Sequence, residues 1–88
     1  MDFEGDDANV VHIARHDVTP AEAEEALLDP RRLGMQVYQL KGEPRWAAVG
    51  ATETGRVLFV VYTKRGPKIR VITAQDAERD ERRRYRRR

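Results

Sequence analysis

Cysteine is absent from the 88-residue sequence, so the protein has no disulfide and no thiolate for catalysis or metal binding. No apolar run approaches the roughly 20 residues that a membrane-spanning helix requires. A signal-peptide pattern is missing too, because residues 1–7 are acidic where a basic segment would be expected. These absences exclude disulfide scaffolds and thiol enzymes. We expect a cytoplasmic protein that makes no membrane contact.

Histidine is scarce, since His12 and His16 are the only two and lie four residues apart. Residues with this spacing share one face of a helix. Imidazole is suited to proton transfer near neutral pH, although His16 could equally pack against or cap a helix end. Two histidines without a third, acidic ligand make a poor metal site. The sequence therefore predicts no metal and no cofactor.

Charge is abundant and unevenly distributed along a chain whose length predicts one small domain, residues 1–88. Residues 1–44 carry four basic and ten acidic side chains, a net charge of −6, whereas residues 45–88 carry thirteen basic and five acidic, a net charge of +8. Two such halves predict two different surfaces. The basic half is suited to phosphates. The acidic half limits nonspecific binding, meets a basic partner, or is simply a solvated helix surface.

Two helices are predicted in the first third of the chain. A thin apolar stripe at residues 8–16 favours a short helix capped by Asp6 or Asp7. The second helix starts more clearly, because Thr19 is an N-cap and Glu22 completes a capping box. It runs to about Leu28 and should stop before a proline. Its apolar residues are Ala23, Ala26 and Leu27.

Strand patterns occupy most of the remaining chain. Residues 2–4 form a short extended segment, and four strands fall within residues 35–40, 46–51 and 56–75, the last range holding two. A last helix, capped by Asp76 or Thr73, runs through Tyr85. Two N-terminal helices, a four-stranded antiparallel sheet and a C-terminal helix make an α+β domain.

The hairpin within residues 56–75 crowds basic residues around its tip, namely Lys64, Arg65, Lys68 and Arg70. A two-residue turn would place Arg70 on the same face as Phe59 and beside the core. A three-residue turn, residues 65–67, pairs Lys64 with Lys68 and Tyr62 with Arg70. Because burying an unpaired charge is costly, we expect the three-residue turn.

In that register one face of the hairpin is apolar and buried, with Phe59, Val61, Ile69 and Val71. The opposite, open face carries Lys64, Lys68, Arg70 and Tyr62. Like charges directly opposite each other repel by roughly 0.2–1 kcal/mol unless an anion joins them. The pattern therefore favours a phosphate-binding surface, with a merely solvated hairpin as the alternative.

Several motifs follow one another in a recognisable order: residues 2–4 with Asp6-Asp7, Arg15-His16-Asp17-Val18, Pro20 through Asp29-Pro30, residues 55–63, Arg65-Gly66, residues 69–74, and Glu81 with Tyr85. This ordered set resembles the BrnT-type toxins of bacterial type II toxin–antitoxin systems, which are small ribonucleases with a RelE-like fold. The chain departs from the family pattern at Gly5, Asn9, His12, Lys64 and Gln75.

The resemblance implies an endoribonuclease toxin that works without metal, inhibits translation and growth, and is neutralised by a cognate antitoxin. The antitoxin is expected to be a DNA-binding protein of the ribbon-helix-helix kind, and the toxin to be a dimer or part of a toxin–antitoxin hetero-oligomer. Because Lys64 and Gln75 depart from the family pattern, a non-catalytic relative that binds nucleic acid or protein is the alternative.

Metal-independent RNA cleavage needs a base for the 2′-hydroxyl, cations for the charged phosphorane and an acid for the leaving 5′-oxygen. We assign Arg70 to the phosphate, because a guanidinium offers a planar fork to two oxygens. The other catalytic candidates are Lys64, Arg65, His16 and Tyr85. The RNA-binding candidates are Lys68, Tyr62, Arg15, Arg82 and Arg83. Solvation of the charged residues and packing of Tyr85 at the core edge are the structural alternatives.

Overall fold

The computed structural model describes residues 2–4, 17–34 and 38–87. Its helices are α1 (Pro20–Leu28) and α2 (Arg79–Arg86), and its strands are β1 (Asp2–Glu4), β2 (Leu33–Gly34), β3 (Tyr38–Leu40), β4 (Glu43–Ala51), β5 (Val57–Arg65) and β6 (Lys68–Asp76). The predicted α+β class with four antiparallel strands is confirmed. The helix predicted at residues 8–16 lies outside the described residues. Neither described helix is long and apolar enough to cross a membrane.

The sheet is built around the meander of β4, β5 and β6. The strand order is β1-β6-β5-β4-β2, and β3 pairs separately with the beginning of β4. The extended segment at residues 2–4 is a true strand, because β1 pairs in parallel with β6 through Phe3 opposite Ile69. The first and last strands of the described part are thus neighbours in one sheet.

Helix α1 begins and ends where the sequence predicts. The backbone N–H of Glu22 donates to Thr19 Oγ1 at 3.1 Å, and the N–H of Thr19 donates to Glu22 Oε1 at 3.0 Å. This reciprocal capping box satisfies two N–H groups that the first turn leaves without partners. Pro20 occupies the first helical position, and Asp29 is the C-cap.

One face of the sheet packs against α1, and we call it the helix face; it carries Ala48, Gly50, Leu58, Val60, Ile69, Val71 and Ala74. The predicted apolar residues of α1, Ala23, Ala26 and Leu27, are all buried there. The approach is closest at Gly50, where a Cβ atom would lie 2.1 Å from the Ala26 carbonyl oxygen. The small residues therefore let the helix lie directly on the strand.

The hairpin register differs from the predicted one. Arg65 lies opposite Lys68 across a two-residue turn, and Lys64 lies opposite Ile69 instead of Lys68. The predicted three-residue turn is therefore wrong. The turn begins at Gly66, whose φ of 60° suits the first position of a type II′ turn, and a proline follows it. These two residues complete the turn, so Arg65 can pair with Lys68 as the last residue of β5.

This register divides the predicted basic surface between two faces. We call the side opposite to the helix face the far face; it carries Ala47, Val49, Phe59, Val61, Thr63 and Arg70. Arg70 lies opposite Thr63 and so shares its face with Phe59, which is the arrangement that the sequence analysis rejected. Tyr62 and Lys64 lie on the helix face. The single open face with all four polar residues is therefore excluded.

The physical reason is that both faces of the sheet contain buried residues. On the far face Val61 and Thr63 are 6% and 0% exposed, while Val60 on the helix face is also 0% exposed. The prediction assumed that only one face of the sheet was buried. It therefore rejected the two-residue turn as the register that would bury a charge. Arg70 is half-buried. Of the side chains predicted to be buried, Phe59 is only half-buried.

A β-bulge shifts the pairing further along the hairpin. Tyr62 lies opposite Val71, whereas Val61 lies opposite Thr73, which leaves Ile72 as the extra residue. The predicted pairing of Tyr62 with an arginine is wrong because of the shorter turn alone, since Tyr62 lies between the turn and the bulge. Strands with an extra residue cannot be aligned by a single alternation pattern.

Helix α2 starts later than predicted. Thr73 and Asp76 belong to β6, and Glu78 is the N-cap, so both predicted caps are wrong. The strand extends because Asp76 still lies opposite Leu58, and the next N–H, from Ala77, donates to the Val57 carbonyl at 3.0 Å. Backbone pairing thus continues through the positions at which side-chain signals favoured a helix.

Candidate nucleic-acid interface

Basic side chains gather on the far face where β4, β5 and β6 reach the Gly66 turn. We call this group the tip cluster, and its members are Glu43, Arg45, Arg65, Lys68 and Arg70. The register pairs Arg65 directly with Lys68, and it places Arg70 opposite Thr63, which lies between Arg70 and Arg45. Arg45 adjoins Thr63 on the other side, since the next residue of β4, Trp46, lies opposite Tyr62.

Thr63 fixes the beginning of β4 within this cluster. Its side chain is fully buried, and its hydroxyl donates to the Pro44 carbonyl at 2.8 Å. A buried hydroxyl without a partner would be costly, so this hydrogen bond keeps β4 against β5. The residues on either side of Pro44, Glu43 and Arg45, are thereby positioned together.

Glu43 bridges two guanidinium groups. Its Oε1 lies 3.5 Å from Arg45 Nη2, and its Oε2 lies 3.8 Å from Arg65 Nη2. The Arg45 side chain is 15% exposed, against 36% for Glu43 and 48% for Arg65. The buried Arg45 Nε has no hydrogen-bond acceptor among the described residues. The cluster itself holds four cationic side chains and one carboxylate, and the register places Asp2 and Glu4 of β1 opposite Lys68 and Arg70.

A second group lies across the sheet, on the helix face. The rings of Trp46 and Tyr62 are stacked with centroids 6.1 Å apart, and Lys64 Nζ lies 4.9 Å from the centroid of the Trp46 ring. This cation–π contact attaches the lysine to the aromatic pair. Tyr62 and Lys64 are therefore separated by the sheet from Lys68 and Arg70, with which the sequence analysis grouped them.

The residues predicted on the last helix lie at the opposite end of the sheet. Helix α2 follows Ala77, whose N–H donates to Val57 at the start of β5. Val57 and Lys64 are seven residues apart on one strand, a distance of about 23 Å. The structure therefore does not bring Tyr85, Arg82 or Arg83 together with the tip cluster.

Tyr85 has a defined partner at that end, because its hydroxyl donates to Asp29 Oδ2. This hydrogen bond is the main reason why the pKa of Tyr85 is raised above its usual 10.0. Burial by itself would raise the pKa of Asp29, but the hydrogen bonds from Tyr85 and from the N–H groups of Ala51 and Arg31 outweigh it and lower that pKa. The contact connects α2 to the end of α1.

The remaining predicted residues, Arg15 and His16, lie outside the described residues together with His12. Among residues 2–4, 17–34 and 38–87, no group of three metal-ligating side chains is close enough to hold an ion.

Sequence analysis missed Glu43 and Arg45. The segment Gly42-Glu43-Pro44 has the composition of a turn, and proline is uncommon inside strands. Strand β4 nevertheless begins at Glu43. Had the strand been started there, the two-residue alternation would have placed Glu43 and Arg45 on one face. The two-residue spacing of Glu43 and Arg45 was therefore the sequence signal that could have identified them.

A small α+β domain with a cluster of cations at one end of its sheet is typical of proteins that bind polyanions. The chain belongs to the BrnT family: the family model for the ribonuclease toxin, BrnT, of type II toxin–antitoxin systems matches residues 5–81. Comparison with curated proteins gives no match. The family implies RNA targets and an antitoxin partner, and the matched range contains the whole tip cluster.

Proposed function

We propose that the tip cluster is the centre at which this toxin cleaves RNA without a metal ion. The 2′-oxygen attacks the neighbouring phosphorus and the bond to the 5′-oxygen breaks, which leaves a 2′,3′-cyclic phosphate and a free 5′-hydroxyl. In the cytoplasm this cleavage inhibits translation and growth until a DNA-binding antitoxin covers the cluster. The observation that carries the proposal is the tip cluster itself, in which Arg45 and Arg65 contact Glu43 while Lys68 and Arg70 lie on the same face.

Arg70 stabilises the charge that develops on the phosphorane. Strand β6 pairs with β5 on one side and with β1 on the other, where Glu4 is the register partner of Arg70. Two neighbouring strands thus fix the backbone that carries Arg70 before the substrate binds, and donors positioned in advance favour electrostatic catalysis. Arg65 and Lys68, both exposed, supply further positive charge for the same phosphate.

Glu43 accepts the proton of the attacking 2′-hydroxyl. A carboxylate beside the phosphate-binding cations lies close to the 2′-hydroxyl. It can take the proton while the 2′-oxygen adds to the phosphorus. The leaving 5′-oxygen takes a proton from an acid, and His16, one of the predicted catalytic residues, is our candidate for that donor. Glu43 therefore converts the cluster from a phosphate-binding surface into a site for proton transfer.

The test is cleavage of total RNA by the purified protein in EDTA, with Arg70→Ala and Glu43→Gln compared with wild type. Loss of one donor aimed at the phosphorane should lower the rate by about 10²–10³-fold. The control is Arg32→Ala, which removes an exposed arginine that contacts the Asp29 carbonyl away from the tip cluster. Circular dichroism should show an unchanged fold in all three variants.

Two results would redirect the proposal. Wild-type protein that binds RNA in EDTA and never cuts it would establish the alternative, a non-catalytic BrnT relative. Cleavage that survives Arg70→Ala and Glu43→Gln would keep the enzyme and move its centre elsewhere. The group of Trp46, Tyr62 and Lys64 on the helix face would then be substituted next.

A further inference from the structure

Helix α2 carries arginines along one face. Residues Arg79, Arg82, Arg83, Arg86 and Arg87 follow the i, i+3, i+4, i+7, i+8 spacing of a single helix face and line one open depression of about 430 Å³. We call this set the arginine stripe. Seven of the fourteen arginines in the chain lie within residues 79–88, so the charge is concentrated here.

Three hydrogen bonds hold α2 and its first turn in place. Tyr85 donates to Asp29, and the Arg82 guanidinium donates to the Ala77 carbonyl. At the start of the helix the N–H of Glu78 donates to Glu81 Oε1 at 2.7 Å. The Tyr85 contact joins α2 to the end of α1, the other two stabilise the beginning of the helix, and the members of the stripe other than Arg82 are exposed. The surface is therefore built into the fold, unlike a frayed charged end.

Five cations on one helix face repel one another, and each like-charged pair at i,i+4 costs a few tenths of a kcal/mol. A polyanion removes this cost. Guanidinium groups match phosphate oxygens with two parallel hydrogen bonds, which lysine cannot reproduce. Because the helix repeats every 5.4 Å or so, the stripe presents arginine in each of its turns to a ligand that runs alongside.

We propose that the arginine stripe binds the phosphate backbone of RNA, as a docking site separate from the tip cluster. That the docked RNA is also the RNA that the toxin cleaves rests on the proposed function. The two sites lie at opposite ends of β5, about 23 Å apart. RNA that spans both sites is therefore held more tightly than a short oligonucleotide, and the toxin selects long or folded RNA.

An acidic protein segment is the competing occupant. Protein interfaces are anchored by apolar and aromatic residues in a buried centre. Within the described part of the chain, the depression is lined by arginines alone. A surface that offers only charge and guanidinium hydrogen bonds suits a phosphodiester backbone, because phosphate contacts supply most sequence-independent nucleic-acid affinity.

The experiment compares Arg83→Gln/Arg87→Gln with Arg84→Glu. Both changes remove two units of charge from the same helix, but Arg84 is exposed and lies off the stripe. Fluorescence anisotropy measures binding to 2′-O-methyl RNA, which lacks the hydroxyl that cleavage requires. The probes are a hairpin of about 30 nucleotides and a single strand of about six. Cleavage of the corresponding unmodified RNAs is measured in parallel.

We expect the double variant to bind the hairpin roughly tenfold more weakly, the loss of two solvent-screened charge contacts. The slope of log affinity against log salt should become shallower by about 1.4–1.8, since each lost phosphate contact removes about 0.7 on a single strand and about 0.9 on a duplex. Cleavage of the hairpin should fall by about tenfold more than cleavage of the short strand. Arg84→Glu should leave the salt slope as in wild type.

Equal weakening by the double variant and by Arg84→Glu would overturn the proposal, because only the general field of the helix would then matter. Unchanged RNA binding with lost binding of poly-L-glutamate would assign the stripe to an acidic protein instead. The binding arm uses RNA that cannot be cleaved. A protein that docks the hairpin through the stripe but cuts neither RNA would refute the proposed activity and keep the docking site.

Discussion

At the scale of single residues, Arg56 holds together three segments that meet at the α2 end of the sheet. Its Nε lies 2.7 Å from Asp76 Oδ1, and its Nη1 donates to the Asp17 carbonyl at 2.8 Å and to Glu22 Oε2 at 3.2 Å. One guanidinium thus connects the end of β6, the segment before α1 and the capping box of α1. Five donors in a fixed fork make arginine suited to this role.

These contacts predict a pH-dependent stability. Hydrogen bonding from Arg56 is the main reason that the pKa of Asp76 lies below its usual 3.8, while the backbone N–H of Thr19 and then Arg56 lower the pKa of Glu22 below 4.5. A carboxyl whose pKa is lower in the folded state stabilises the fold above its unfolded pKa. That stabilisation is lost as the pH falls through the folded-state pKa.

Arg56→Ala should therefore lower the free energy of unfolding by about 1–2 kcal/mol at pH 7, because it removes charged hydrogen bonds that are only partly screened. The difference from wild type should shrink below about pH 4, where the carboxylates become protonated. Urea denaturation at pH 7 and near pH 3 measures both values, with Arg84→Ala as the control. A difference of equal size at both pH values would contradict this account of Arg56.

At the scale of elements, the contact between α1 and β4 depends on a missing side chain. A Cβ atom at Gly50 would lie 2.1 Å from the Ala26 carbonyl oxygen, and that atom is backbone, so no side-chain rotation can relieve the clash. The helix would have to lift away from the strand. Its buried residues Ala23 and Leu27 would then lose part of their contact with the sheet.

Gly50→Ala should for this reason destabilise the protein by about 3 kcal/mol, at the upper end of the usual cost of overpacking. The matched control is Gly34→Ala, since a Cβ atom there meets nothing within 4 Å. Thermal unfolding followed by circular dichroism should show a large fall in Tm for the first variant and little change for the second. Equal Tm values would mean that α1 does not rest on Gly50 as described.

The elements also show which features a sequence can predict. The capping box of α1 was predictable because Thr19, Pro20 and Glu22 act on one another within a single turn. The hairpin register depended on which faces of the sheet are covered, and that depends on residues far away in the chain. The Gly66-Pro67 signal for a two-residue turn was local and correct, but a one-sided view of burial outweighed it.

The residues of the candidate site likewise fall into those that local patterns predict and those that depend on distant contacts. Arg65, Lys68 and Arg70 were placed near the hairpin tip, and the structure has them there on one face. Glu43 was overlooked because its contact with Arg65 joins residues 22 positions apart, which no local pattern reveals. Tyr62 was grouped with Arg70 on one face because the predicted turn was one residue too long, whereas the two-residue turn places Tyr62 opposite Val71.

At the scale of the whole molecule, positive charge is concentrated at two ends of one sheet. The tip cluster lies beside the β5–β6 turn, and the arginine stripe lies beyond the other end of the same strands. The acidic residues of α1, such as Glu24 and Glu25, belong to the half of the chain with a net charge of −6. The protein therefore carries a cluster of cations at each end of its strands, and under the proposed function both clusters act on a single long polyanion.

The antitoxin must compete with RNA for the tip cluster if it neutralises the toxin there. An antitoxin segment that covers Arg65, Lys68 and Arg70 makes charge contacts, which salt screens over about 8–10 Å near physiological ionic strength. Binding should therefore weaken as salt rises.

Isothermal titration calorimetry with the cognate antitoxin at low and high salt, for wild type and Lys68→Gln, measures this dependence. Lys68→Gln should reduce the salt dependence by roughly one contact, whereas Arg84→Gln on α2 should leave it as in wild type. An affinity that is the same at both salt concentrations would place the antitoxin on an apolar surface away from the cluster, and inhibition would then have to act without covering the phosphate-binding cations.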